Sequence, residues 1–347
     1  MTVAENKKQM AMAGVFYLTH RASLDASDLW RLANRWECVE KWADLFAYID
    51  QREVHHDELF LPWEEFIDLA NDYGVYPRGQ HPEDSLRRGL EELGDHLETP
   101  VDVYLLGGGN LILRGLKDST KDVDIVVEDG QTFFAIAEAL QDLGYEERSD
   151  LEAAYNQLDP SIVLEKEGFP RWDIFVEAVA GQLQLTPAMI ERCDQSFEYG
   201  DLHVHLLSLT DIFVFKSITE REGDLEDAAL IARQADLDWE SIFREIKTQE
   251  DRTGQFFSFA VLDTLDVLDE RHNIVAPITD RLISYCLENA LLVSLKTPKT
   301  IDDLREELDF PDHQIYNKLR KLEDQGQITV DRSGRLNTYQ RAESTDR

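Results

Sequence analysis

The spacing of apolar residues changes along the chain, and each change marks a region. Residues 1–20 are a polar lead closed by a short apolar run, Val15-Phe16-Tyr17-Leu18. Over 24–75 the apolar positions recur at helical intervals: Leu29, Leu32, Ala33 and Trp36, then Trp42, Leu45, Phe46 and Ile49. Pro62 opens a further helix with Trp63, Phe66, Ile67 and Leu69 on its apolar side. The breaker-rich stretch 76–82 separates this region from an amphipathic helix running from Pro82 to His96. After Thr99-Pro100 the period shortens. Val101–Leu106 reads as a strand, followed by glycines and a helical pattern over Leu111–Leu116. Val123–Val127 is a strand, Phe133–Leu143 a helix stopped by Gly144, and Ile162–Leu164 and Trp172–Val176 are further strands. Leu206–Ala235 is helical again, and helices continue to about Leu292 through Phe256–Leu268 and Ile278–Leu291. The last segment predicts helices at Thr300–Leu308 and Pro311–Gln325, a stop at Gly326, and a hairpin from Ile328–Val330 and Leu336–Tyr339 around Ser333-Gly334.

This order predicts an α+β protein with an α/β core: a mixed β-sheet with flanking helices. Four regions are expected: an N-terminal helical region at 1–80, the α/β core at 81–237, a helical region at 238–295, and a small helix–helix–hairpin domain at 296–347. No internal repeat is visible.

Composition narrows the class. Hydrophobic residues make up 43% of the chain, too many for a disordered acidic polymer. No run reaches the roughly 18 apolar residues of a membrane span, and the first residues lack the layout of a secretory signal. These features predict a soluble cytoplasmic protein with no membrane partner. Cys38, Cys193 and Cys286 are too scattered for a metal knuckle or a disulfide framework. The net charge is -35, from 70 acidic against 35 basic residues. Such a charge opposes nucleic-acid binding at low salt. The acids are spread through helices, however, and Arg outnumbers Lys by 23 to 12. That composition resembles proteins of salt-in halophilic archaea. In molar salt the Debye length falls to about 3 Å, so the charge describes the solvent more than the partner.

The chemistry-bearing stretch is Leu105-Leu106-Gly107-Gly108-Gly109-Asn110, continuing to Lys121-Asp122-Val123-Asp124-Ile125. Glycines between a strand and a helix serve either as a turn or as a cradle for an anion. Asp122 and Asp124, two apart on a strand, point to the same side, as a solvated face or as oxygen ligands for a divalent cation. A third acid from a neighbouring strand would complete such a site. Asp173, in Arg171-Trp172-Asp173-Ile174-Phe175-Val176, is the candidate, set among apolar residues.

These elements together, with thirteen residues between Gly108 and Asp122, resemble the signature of the DNA-polymerase-beta superfamily of nucleotidyltransferases, especially its small prokaryotic toxin or antitoxin members. The resemblance covers about residues 83–235. It implies the nucleotidyltransferase fold, with Asp122, Asp124 and Asp173 as catalytic residues and Mg²⁺ ligands. Gly107, Gly108 and Gly109 would cradle the phosphates of a nucleoside triphosphate, and an NMP would pass to an RNA or protein acceptor. A cognate toxin or antitoxin partner follows from the same likeness. Many members carry Ser or Thr where this chain has Gly109, which removes one hydroxyl from the phosphate cradle. The stretch from Leu209 through Lys216, Arg221 and Asp224 to Asp227 is similar to a helix of abortive-infection toxins. On that likeness Lys216 would reach the triphosphate; the alternative is an ordinary pair with Glu220.

Arg114, Lys117 and Lys121 flank the acids and would either contact a triphosphate or balance local charge. His203 and His205 share one strand face and, with no third ligand evident, read as structural. Residues 300–341 resemble a winged helix. From His313 to Arg341 there are six basic and three acidic residues, the reverse of the chain as a whole. Gln314, Asn317, Lys318, Lys321 and Arg335 are the candidate nucleic-acid contacts; protein contact or dimerisation is the alternative use. The functional expectation is a Mg²⁺-dependent nucleotidyltransferase. The alternative is an inactive nucleotidyltransferase-fold regulator that binds DNA through its winged helix.

Overall fold

The computed structural model describes residues 81–148, 160–166, 169–179, 183–219 and 222–342. The helices expected over 24–75, together with Glu220 and Arg221, lie outside the described residues. The chain divides after Ser208 into two compact units.

In the first unit the elements run β1 (His81–Pro82), α1 (Glu83–His96), β2 (Val101–Leu106), α2 (Gly107–Leu113), β3 (Ser119–Thr120), β4 (Asp122–Val127), α3 (Gly130–Asp142), β5 (Glu146–Glu147), β6 (Ile162–Glu165), β7 (Arg171–Val176), β8 (Ala178–Val179), β9 (Leu183–Gln184), α4 (Pro187–Glu191), β10 (Gln195–Tyr199) and β11 (Leu202–Leu206). Seven strands form one mixed sheet in the order β10-β11-β2-β4-β7-β6-β5. β2 is parallel to β11 and antiparallel to β4, and β4 is parallel to β7.

One face of this sheet is the core. Leu86, Leu90 and Leu93 of α1 and Ile136, Ala137 and Leu140 of α3 pack on Val103, Leu105, Val123, Ile125, Trp172, Ile174, Leu202 and Val204. The strand residues are alternate positions, as a pleated sheet covered on one side requires. The positions between them face the other way. α1 approaches the β10–β11 turn so closely that a Cβ on Gly94 would collide with the Tyr199 carbonyl. Gly200 in that turn has φ +55°, which glycine adopts without strain. The hairpin's second strand carries the expected His203 and His205. Its first strand and turn have only Tyr199-Gly200-Asp201 to announce them in sequence.

The second unit contains α5 (Leu209–Ile218), α6 (Glu222–Gln234), α7 (Trp239–Thr253), α8 (Ser258–His272), α9 (Thr279–Ser294), β12 (Lys299–Thr300), α10 (Ile301–Glu307), α11 (Asp312–Asp324), β13 (Ile328–Asp331) and β14 (Thr338–Arg341). Continuous helical character expected over Leu206–Ala235 is split into α5 and α6. α5 is buried nearly all round, from Thr210 to Phe215, so its apolar pattern lacks a single stripe. Gly254 at φ +72° and Asn273 at φ +55° end α7 and α8 in left-handed caps. The Glu250 carboxylate ties three helices. It accepts from the Ser258 backbone N–H at 2.7 Å and from the Asn289 amide at 3.0 Å.

The C-terminal elements fall within a residue or two of their expected places. Thr300 caps α10 in a reciprocal box with Asp303. Leu287 and Leu291 of α9 share a core with Ile301 and Leu304, Ile315, Leu319 and Leu322, and Ile328 and Tyr339. β12, β14 and β13 form a three-stranded antiparallel sheet beside these helices.

Candidate metal centre

The three aspartates lie on the sheet face turned away from α1 and α3. Period-two alternation puts them there: Val123 and Ile125 enter the core, so Asp122 and Asp124 face outward, and Trp172 and Ile174 do the same for Asp173. Register brings them together. In the parallel β4–β7 pair Asp124 lies opposite Asp173, and Asp122 lies opposite Arg171. One carboxylate oxygen from each of Asp122, Asp124 and Asp173 comes within 4.8 Å of the others. Among the described residues this is the one cluster of three such groups with that geometry.

Two acids directly opposite on paired strands repel, and here one of them is deeply enclosed. The Asp173 side chain is 1% exposed and that of Asp122 20%. Burial pushes the Asp173 carboxyl up to about 6, with repulsion from Asp122 adding to the effect and Arg171 opposing it. All the donors are hard carboxylate oxygens, the set that suits Mg²⁺ or Ca²⁺ rather than a thiophilic metal.

Arg171, not among the candidate residues above, is a fourth member of the cluster. Its guanidinium donates from Nε to Asp173 Oδ1 and from Nη2 to Asp173 Oδ2, both at 2.7 Å. The same Nη2 donates to Asp122 Oδ2 at 2.6 Å. Arg171 is two residues before Asp173 on a strand, so their side chains share a face; sequence spacing gives that much and no more.

The glycines pack against this cluster. Gly107 has φ +64°, and a Cβ there would run into the Asp124 carboxylate; one on Gly108 would run into the Thr120 hydroxyl. Glycine is thus required at 107 both by conformation and by space. A Cβ at Gly109 would meet only ordinary contacts with Leu105 and Leu86. The expected loop is shorter than the pattern predicted, since α2 begins at Gly107. Asn110 is fully buried and holds the turn: its amide donates to the carbonyls of Leu105 at 2.7 Å and Leu207 at 3.0 Å.

The flanking cations differ in placement. Arg114 is committed to the same network. It donates to Asn110 Oδ1 at 2.8 Å, to the Leu207 carbonyl at 3.0 Å and to the Asp194 carboxylate. Its side chain is only 6% exposed, so its fork is spent on structure. Lys121 is exposed. Lys216, in the second unit, pairs with Asp224 at 2.5 Å and with Asp227 at 3.0 Å; the alternative partner Glu220 lies outside the described residues. The two acids at 224 and 227 are themselves buried, so they form an internal ion-pair group and not a solvated face.

The histidine pair has the neighbour that sequence could not supply. β11–β2 register places Asp102 opposite His203. Asp102 Oδ1 lies 2.7 Å from His205 Nε2 and 3.6 Å from His203 Nδ1, and Ser196 Oγ lies 2.9 Å from His205 Nδ1. Each ring nitrogen of His205 therefore has a partner.

On α11, Asn317 and Lys321 are exposed, Gln314 is half-buried, and Arg335 is exposed in the hairpin turn. Lys318 is turned inward. It is buried, and its ammonium donates to Ser284 Oγ at 2.9 Å and to Glu288 at 3.1 Å.

No protein-family model matches the chain, and no curated protein matches it.

Proposed function

We propose that the protein is a divalent-cation-dependent nucleotidyltransferase of the DNA-polymerase-beta type, moving an NMP from an NTP to an RNA or protein acceptor. The observation that carries this reading is the meeting of Asp122, Asp124 and Asp173 beside Gly107. Three carboxylates against one guanidinium leave negative charge in excess on an enclosed sheet face, which a divalent cation would neutralise.

Asp122, Asp124 and Asp173 would hold Mg²⁺. Bound there, the ion would neutralise phosphate charge and stabilise the attacking and leaving oxygens. The chain's own contribution is positional. Gly107 lets the turn after β2 close directly against the Asp124 carboxylate, and Gly108 lets it close against the Thr120 hydroxyl. Asn110 fixes the turn from beneath through Leu105 and Leu207. On the family likeness Asp173 would either join a second ion or deprotonate the acceptor hydroxyl. The acceptor belongs to a toxin–antitoxin or defence setting on this reading, and the acid-rich surface to a high-salt cytoplasm. Incubation with labelled NTPs, Mg²⁺ and total RNA or protein in high salt tests it. Label transfer lost in the Asp122→Ala/Asp124→Ala variant is expected. Absence of transfer to every acceptor under every NTP sinks the enzyme.

A second reading is favoured by the last elements of the second unit: a regulator that binds DNA through a winged helix. Here α11 and the β13–β14 hairpin expose Asn317, Arg320, Lys321 and Arg335 in an otherwise acidic chain. Gel-shift or anisotropy titrations of duplex DNA with wild type and Lys321→Glu decide it. Affinity that the variant weakens, with a steep salt dependence, is the required result.

A further inference from the structure

The acidic cluster already contains a cation. Arg171 makes a two-pronged contact with Asp173, and its Nη2 bridges Asp173 Oδ2 and Asp122 Oδ2 at 2.7 and 2.6 Å. A divalent ion joining the same two carboxylates would need to stand within about 2.0–2.6 Å of its oxygen ligands. The bridging nitrogen therefore already engages one oxygen of each carboxylate that such an ion would draw on. Both would also lie in a poorly solvated place, since Arg171 is 12% and Asp173 1% exposed. Screening by solvent is weak there, so a guanidinium and a divalent ion repel strongly at contact distance.

We propose that Arg171 is a built-in competitor for the divalent cation. The side chain balances the acids at rest and must leave Asp122 and Asp173 before an ion can bridge them. This inference rests on the cation-dependent reading above, and it adds a positioning residue that sets how tightly the ion is held.

The competition has a definite form. If the arginine-released state is a fraction f of molecules, the apparent dissociation constant is the intrinsic one divided by f. The three short, charge-assisted bonds keep f small. Removing the guanidinium removes the discount. Gln at 171 retains polarity but no charge. Lys retains charge as a single point that cannot span Asp173 with a fork, so it competes less well than Arg and better than Gln. A purely structural Arg171 has the opposite signature. In that case its loss lets the carboxylates separate, and the ion binds more weakly.

The test is direct ion binding, with no turnover involved. Mn²⁺ affinity is measured by electron paramagnetic resonance, and Mg²⁺ affinity by calorimetry, for wild type, Arg171→Gln and Arg171→Lys. Circular dichroism confirms that each is folded. A tenfold or greater gain in Mn²⁺ affinity in Arg171→Gln, with Arg171→Lys between it and wild type, is the expected order. Arg171→Gln should also melt lower than wild type in chelator and recover more on adding Mn²⁺. Should Arg171→Gln prove unstable, the Arg171→Lys comparison alone must still show a gain. Affinity that is unchanged or falls in folded variants overturns the competitor while leaving the cation site standing. If neither wild type nor any variant binds Mn²⁺ or Mg²⁺, the cation-dependent reading fails and this inference with it.

Discussion

Asp173→Asn should make the ion-free protein more stable at neutral pH relative to acid pH, although it removes a partner of Arg171. The sign follows from which effect dominates at Asp173. Burial and Asp122 disfavour its charge, Arg171 favours it, and the balance raises the carboxyl from 3.8 to about 6. An acid raised in this way contributes its stability in full below its unfolded value and loses it as the pH climbs through the folded one. The total loss is about 3 kcal/mol at roughly 1.4 kcal/mol for each tenfold change. Linkage places about 2 kcal/mol of that between pH 4.5 and 7.5. Asn cannot ionise, so the stability of the variant minus that of wild type should rise by about 2 kcal/mol across this interval. The difference across pH matters more than either end, because the Asn amide adds a fixed cost for a buried donor. Urea unfolding of both proteins at both pH values, in high salt with chelator, measures it. If the difference between the two proteins is flat with pH, or shifts in favour of wild type, Asp173 is not the strained acid described here.

Gly107→Ala should cost about 2 kcal/mol or more by urea unfolding, because it adds strain at positive φ and a clash with Asp124; it should also weaken Mn²⁺ binding. Asn110→Ala leaves the Leu105 and Leu207 carbonyls without their amide donor. It should destabilise the first unit by about 2–4 kcal/mol, measured as a lowered denaturant midpoint. Lys318→Met strands the partly exposed Glu288 without its ammonium and should lower stability by about 2–4 kcal/mol in urea unfolding. It should leave DNA affinity unaltered, whereas Lys321→Glu reduces it in the same anisotropy assay.

The acids were legible because the rule that exposes them is local. Two residues apart on a strand means one face, and an Asp between Trp172 and Ile174 has no reason for being there except a partner. Their convergence depends on β4 and β7 pairing in one register, which local pattern cannot supply. The same gap hid Asp102, far before His203 in sequence and opposite it in the sheet. Arg171 was hidden differently. Basic residues beside acids are common on solvated faces, so its role appears only once burial is known. In sequence Arg114 offers either a triphosphate contact or charge balance, and Lys318 a nucleic-acid contact; burial is invisible there, and both side chains are enclosed and bonded. The start of α2 at the glycines was obscured because helix propensity ranks glycine so low; packing against Asp124 and Thr120 decides the matter instead.

The pairing of Asp124 with Asp173 has a consequence for how the sheet assembles. β4 and β7 are the parallel neighbours at its centre, and they must zip together while carrying three carboxylates to one point. Until Arg171 engages, that docking step works against electrostatic repulsion. Folding of the first unit should therefore quicken with ionic strength as screening shortens the reach of the repulsion. This salt dependence would arise from three side chains at the centre of the sheet, apart from the acid spread over the rest of the chain.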